Sequence, residues 1–208
     1  MTPNNPFSIN AKGIIKRFNS YTVFKDISFY ISAGNSLAIT GANGSGKSTL
    51  LEIIAGIQKP TKGRIEYQYN GQEITHNDLI THIGFASPKM NLYNELTGLE
   101  NIQFVLESDK SAYVNVDNLL KRFDLHIDQD KSVKYYSSGM KQRLKLLLAI
   151  IRNPTVLLLD EPGSNLDAKG KETIYSFLEY MKEKKLIIIA TNEEEEACIC
   201  NDRIDLGK

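Results

Sequence analysis

The stretch Gly41-Ala42-Asn43-Gly44-Ser45-Gly46-Lys47-Ser48-Thr49 decides how the rest of the chain is read. It carries the pattern G-x-x-x-x-G-K-S at Gly41, Gly46, Lys47 and Ser48. The apolar run Leu37-Ala38-Ile39 precedes it and a helical pattern over 48–57 follows. A phosphate-cradling loop requires that strand–loop–helix setting. Glycines let the backbone close around an anion with successive N–H groups pointing inward, and the helix start adds partial positive charge. Lys47 is then a mobile cation for β- and γ-phosphates, and the Ser48 hydroxyl a Mg²⁺ ligand. All nine residues are candidate nucleotide contacts. Kinases, GTPases and motors share such a loop, so the loop alone leaves the reaction open.

Working outward, two more apolar runs have strand length: Val156-Leu157-Leu158-Leu159 and Leu186-Ile187-Ile188-Ile189-Ala190. Continuous apolar runs belong to strands buried on both faces, as in a parallel sheet covered by helices. Helical patterns follow them at 169–184 and 193–200, so strands and helices alternate and the class is α/β with a parallel sheet. Nearer the start, 7–18, 22–32 and 64–69 alternate in polarity, and Asn70-Gly71 after the last is a hairpin signal. These segments predict an antiparallel β-flank. Residues 97–153 carry apolar positions at helical spacing, with Leu119, Leu120 and Phe123, then Leu144, Leu147, Leu148 and Ile151. They predict a helical lobe inserted into a single domain spanning 1–208.

The run 156–159 ends in Asp160-Glu161-Pro162. An acid at the tip of a strand beside a phosphate loop suits Mg²⁺, since hard cations favour carboxylate oxygens. Strand side chains alternate, so Glu161 points elsewhere, placed to orient or deprotonate an attacking water.

With both stretches placed, the chain resembles ABC-type ATPases over nearly all its length, from Lys12 to Lys208. The phosphate loop is similar to their Walker A motif, and 157–161 to Walker B with its catalytic glutamate. Tyr136-Ser137-Ser138-Gly139-Met140-Lys141-Gln142-Arg143 resembles the signature that usually reads LSGGQ, and Ser164-Asn165-Leu166-Asp167 the D-loop. The resemblance implies a P-loop NTPase core, ATP and Mg²⁺ as cofactors, and hydrolysis by Glu161. It also implies two head-to-tail motor domains with two ATP molecules between them, so that a second copy or a paralogue completes each site. Ser137, Ser138, Gly139, Met140 and Asp167 are the residues implied to meet the partner's nucleotide. Read alone, Ser137 is a plain helix cap. Phe18 matches the position of the adenine-stacking aromatic; read alone it is a core Phe on a strand. The compact size is similar to that of exporter ATP-binding subunits.

Two positions depart from the pattern. In Ile83-Gly84-Phe85-Ala86-Ser87-Pro88, Pro88 stands where the resemblance implies glutamine. Asn192 stands where it implies the switch histidine. Asn192 can donate a hydrogen bond to a γ-phosphate, or cap the helix expected to begin at Glu193. The run Glu193-Glu194-Glu195-Glu196 reads as a solvated first turn. Residues 89–102 are those implied to face a membrane subunit, with Leu92, Tyr93 and Leu96 either exposed contacts there or core of the lobe.

Composition narrows the classes further. Lys+Arg 25 against Asp+Glu 25 gives no net charge, and no nucleic-acid partner is expected. Cys198 and Cys200 lie too close together to suggest a disulfide framework. The segment 1–7 has no charged region before an apolar core, and no run is long enough to span a bilayer. The expectation is a cytoplasmic subunit, peripheral on the membrane through a transmembrane permease that supplies the transport pathway. The alternatives are a low-turnover nucleotide sensor beside an active paralogue, and a soluble ATPase outside transport.

Overall fold

The structure, a computed structural model, describes residues 7–107, 116–128 and 130–207. In chain order the elements are β1 (Phe7–Phe18), β2 (Tyr21–Ser32), β3 (Ser36–Thr40), α1 (Lys47–Ile54), β4 (Lys62–Tyr69), β5 (Gln72–Glu73), α2 (His76–His82) and β6 (Ile83–Ala86). There follow α3 (Gly98–Glu107), α4 (Val116–Arg122), α5 (Ser138–Ile150), β7 (Val156–Asp160), α6 (Ala168–Lys182), β8 (Leu186–Ala190), α7 (Glu194–Ala197) and β9 (Asp202–Asp205).

Among the described residues there are two sheets. One is antiparallel in the order β2-β1-β4-β5; the other is parallel, β6-β7-β8-β3-β9. The β-flank and the parallel core are therefore as expected. The Asn70-Gly71 turn joins β4 to β5, with both residues at positive φ and Tyr69 facing Gln72, as a tight hairpin demands.

The period-2 geometry of β7 and β8 explains their unbroken apolar sequence. Leu157, Leu159, Ile187 and Ile189 enter one core with Leu144, Leu147, Phe123 and Phe177. Val156, Leu158, Leu186 and Ile188 enter the other, with Leu50, Leu51, Ile53 and Ile9. Each fully buried Leu or Ile contributes about 1.5–3 kcal/mol, so one strand stabilises both layers at once. The helical segment precedes β7 and interrupts the run of strands as expected, but its Leu120, Phe123, Leu125 and Val133 share a core with Leu157 and Leu159. It is an insertion packed onto the sheet. Its entry is fixed at Thr97, whose hydroxyl accepts from Glu100 N–H at 3.1 Å while Glu100 Oε2 accepts from Thr97 N–H at 2.7 Å.

The strands β6 and β9 and the helix α2 lie outside the segments expected from periodicity. In β6, a Cβ on Gly84 would sit 1.9 Å from the Ala149 carbonyl oxygen, so glycine lets α5 close on the sheet. The strand β9 is an edge on which Asp202, Arg203 and Asp205 are exposed and only Ile204 is half-buried.

A candidate nucleotide cleft at the ends of three strands

Register brings the site together. Ile39 of β3 pairs with Ala190 of β8, which pairs with Asp160 of β7. The loops after these strands, 41–46, Thr191-Asn192 and Glu161-Pro162, therefore leave the same edge, where ligands of open parallel sheets bind. They are also stitched across: Thr191 N–H donates to Ile39 O at 3.0 Å and Glu161 N–H to Ala190 O at 2.8 Å.

The phosphate loop has the geometry its glycines predict. Gly46 takes φ 103° as the cap of α1, and no side chain occupies the helix start. A Cβ there would lie 2.4 Å from Val23 Cγ1, so the backbone passes closer to β2 than another residue allows. Lys47 is buried, and its Nζ folds back to Gly41 O at 2.9 Å and Ala42 O at 3.2 Å. Those carbonyls are the contacts a phosphate would replace.

A cleft of about 460 Å³ runs along the loop, lined by Phe18, Tyr21, Lys47, Ser48, Lys89 and Glu161 among others. Phe18 is 49% exposed with Lys16 Nζ 4.8 Å from its ring centre, so it is not a core residue of β1. Tyr21 and Val23 line the same mouth without having been singled out by the sequence. Nothing in a strand's polarity marks which of its residues faces a neighbouring loop.

Asp160 is buried, and the Ser48 side chain, which lines the cleft, lies close enough to favour its ionised form. Burial pushes its carboxyl above the ordinary value, although Ser48 and Lys89 pull the other way. Its Oδ1 is buried with no hydrogen-bond partner among the described residues. An orphaned carboxylate oxygen beside a hydroxyl is a hard, all-oxygen donor set, which fits Mg²⁺. Glu161 takes a left-handed φ of 49°. That strain is held by Gln142 of α5, whose Nε2 donates to Glu161 O and Pro162 O, both at 3.1 Å. Gln142 was not anticipated as a site residue; a single polar residue that is 4% exposed within an apolar helix face is the signal that could have found it.

Asn192 is exposed, and its Nδ2 donates to Asn43 Oδ1 at 3.3 Å, which places it against the phosphate loop. The capping expectation is corrected: α7 begins at Glu194, its cap is Glu193, and Thr191 Oγ1 accepts the Glu193 N–H at 2.9 Å. The acidic run is also not a solvated turn throughout. Glu196 is 1% exposed; its Oε1 accepts from Gly163 N–H at 2.6 Å and from Tyr175 Oη at 3.1 Å.

The signature residues Ser137, Ser138, Gly139 and Met140 do not line this cleft. Ser137 caps α5, accepting from Met140 N–H at 3.2 Å, and Asp167 caps α6, accepting from Gly170 N–H at 2.9 Å. Both serine side chains and Asp167 are exposed.

The family profile described as ABC transporter matches residues 24–164. The chain belongs to the ABC transporter family. Among its relatives, the sulfate/thiosulfate import ATP-binding protein CysA of Synechocystis is 35% identical over 95% of this chain and 57% of that protein. A probable CysA of Chlorella vulgaris is 36% identical over 91% and 83%. The dimeric structure of the bacterial ABC transporter cassette MJ0796 superposes with a TM-score of 0.84 at 27% identity, covering 96% of this cassette and 94% of that one. This cassette thus spans less than two thirds of the Synechocystis protein. The two CysA relatives are named as import ATP-binding proteins, whereas compact size suggested exporter subunits.

Proposed function

We propose that this cassette binds Mg-ATP in the cleft and hydrolyses it as the ATP-binding subunit of a transporter. The observation that carries the reading is the Ser48–Asp160 pair with its orphaned oxygen, set between Lys47 and a strained Glu161. Lys47 leaves the Gly41 and Ala42 carbonyls for the phosphates, and the open start of α1 presents N–H groups to them. Ser48 and Asp160 hold Mg²⁺, which when bound neutralises charge on the phosphate oxygens. Glu161 orients the attacking water and takes its proton; Asn192, set against Asn43 of the loop, donates to the terminal phosphate. Phe18 and Tyr21 offer ring faces to the base.

Ser137, Ser138 and Asp167 are exposed, Gly139 and Met140 are half-buried, and none of them lines the cleft, which leaves this surface to close on the nucleotide of a second copy or a paralogue. No helix among the described residues is long and apolar enough to cross a membrane, so the pathway comes from a permease. Leu92 packs on the core, but Tyr93 and Phe104 are 54% and 53% exposed, ring centres 4.8 Å apart, and offer that permease an aromatic contact. Cargo choice then rests with the permease. The assay is Mg-ATP hydrolysis by the cassette with its permease or as a forced dimer: wild type turns over and Lys47→Ala does not. Turnover unchanged by Lys47→Ala removes the loop from the site.

A further inference from the structure

Lys89 is the one lysine besides Lys47 that lines the nucleotide cleft among the described residues, and the family resemblance gives it no role. Its position is built by its neighbours. Met90 N–H donates to Ser87 O at 3.1 Å, closing a four-residue turn with Pro88 at the second position, where proline's fixed φ is favoured. Lys145 Nζ of α5 donates to Pro88 O at 2.6 Å and pins the turn from the helix side. Pro88 therefore does not leave a gap: it makes the bend that turns the next side chain toward the cleft.

That side chain is loosely held. Lys89 Nζ lies 3.5 Å from Glu52 Oε1, and the lysine is 72% exposed. Glu52 also accepts from Gln58, so its pull on Lys89 is shared. Only the lysine end of this contact is exposed, Glu52 being 13% exposed, so the ammonium can swing away while Glu52 keeps the bond from Gln58. Glu52 is four residues after Ser48 on α1, on the same face and one turn away, roughly 5–6 Å between Cβ atoms. A lysine resting on Glu52 is thus one helical turn from the Ser48 hydroxyl and within its own length of the phosphate end. Burial raises the Asp160 carboxyl, and the Lys89 charge is among the influences lowering it, consistent with that proximity.

We propose that Lys89 is a second cation of the site, which leaves Glu52 to contact the terminal phosphate of ATP, where Pro88 offers no side-chain donor in place of the glutamine the resemblance implies. The inference rests on the phosphate-loop reading above. It gives Lys89 a preference: ATP, with a γ-phosphate in reach, gains the contact, and ADP does not.

The test is titration of the cassette with fluorescent mant-ATP and mant-ADP in Mg²⁺, on wild type, Lys89→Met, Lys89→Arg, Glu52→Gln and Lys47→Ala. Lys89→Met weakens mant-ATP about tenfold, the size of one charge-assisted hydrogen bond, and leaves mant-ADP within about twofold. Lys89→Arg restores most of the difference, and Glu52→Gln, which releases the lysine, tightens mant-ATP. An ATP-to-ADP ratio unchanged in Lys89→Met, with Lys47→Ala still abolishing both, overturns the role of Lys89 alone and leaves a surface ion pair. If Lys47→Ala binds both nucleotides normally, the phosphate-loop reading fails and Lys89 falls with it.

Discussion

Gln142 Nε2 donates to the carbonyl oxygens of Glu161 and Pro162, each at 3.1 Å, across nineteen and twenty residues of sequence. The helix that begins at the signature serines thereby holds the backbone of the candidate catalytic glutamate. Glu161 needs that hold, because its φ of 49° costs a non-glycine residue about 1–3 kcal/mol.

Gln142→Leu keeps the apolar packing of α5 and removes both bonds. Glu161 then relaxes out of its left-handed conformation, and kcat for Mg-ATP falls roughly tenfold or more while nucleotide affinity changes little. Gln142→Glu is the sharper probe: a carboxylate of the same shape faces two carbonyl oxygens and repels them. Steady-state ATPase assays with parallel nucleotide titrations separate the two parameters. Wild-type kcat in Gln142→Leu removes this bond from the mechanism.

Glu161→Gln retains the shape and loses the base. The variant keeps mant-ATP affinity and loses turnover. With Mg-ATP it migrates as a dimer on gel filtration, and as a monomer without nucleotide, since the closed state no longer hydrolyses its way open. Wild-type turnover in this variant moves the general base to another residue.

What the sequence shows and hides follows from how far apart the partners are. The strands β7 and β8 are legible because burial on both faces leaves only apolar residues in 156–159 and Leu186–Ala190, up to the acid that ends β7. The strand β9 is hidden because an exposed edge places no such demand on Asp202 or Arg203. Lys47, Ser48, Asp160 and Glu161 are read from contiguous motifs whose chemistry needs those types at those places. Gln142 and Lys89 act through elements whose approach is set by packing, and no local pattern records it. Glu196 shows the converse error: four acids in a row read as solvent-facing, yet the packing of α7 buries the last against Gly163 and Tyr175.

Asn192 lies on the phosphate loop, bonded to Asn43, and is not the cap of α7. A neutral donor there forfeits the extra strength of a charged one, roughly 1–2 kcal/mol in the transition state. Asn192→His raises the Mg-ATPase rate of the assembled transporter or a forced dimer several-fold, about 5- to 30-fold if the full difference is recovered. Asn192→Ala lowers it, with little change in nucleotide affinity in either variant. If Asn192→Ala hydrolyses at the wild-type rate, the asparagine only bridges to Asn43.

Asp160 sets function against stability. Burial is the main cause lifting its carboxyl above the ordinary value, and the neighbouring Glu161 charge adds to the rise. A carboxyl with its folded pKa above its unfolded one favours the protonated form. Its contribution to stability is full below the unfolded pKa and is lost as pH rises through the folded one. At neutral pH, without Mg²⁺ or nucleotide, the ionised Asp160 therefore weighs against folding, and its orphaned Oδ1 marks why. Asp160→Asn removes the charge and keeps the shape. The apo variant melts above wild type at neutral pH by about 2–4 °C, the shift that roughly 1 kcal/mol produces in a chain of this size. The advantage shrinks as pH falls toward about 4, the ordinary carboxyl range, because the raised wild-type carboxyl takes up its proton above that range. Adding Mg-ATP reverses the order, because wild type gains binding energy through the ion that the amide holds poorly. Thermal melts at the two pH values, with and without Mg-ATP, read all three effects. An apo Asp160→Asn protein that melts below wild type at neutral pH means that the carboxylate is satisfied within the fold, and that its oxygen is not being held in readiness for a cation.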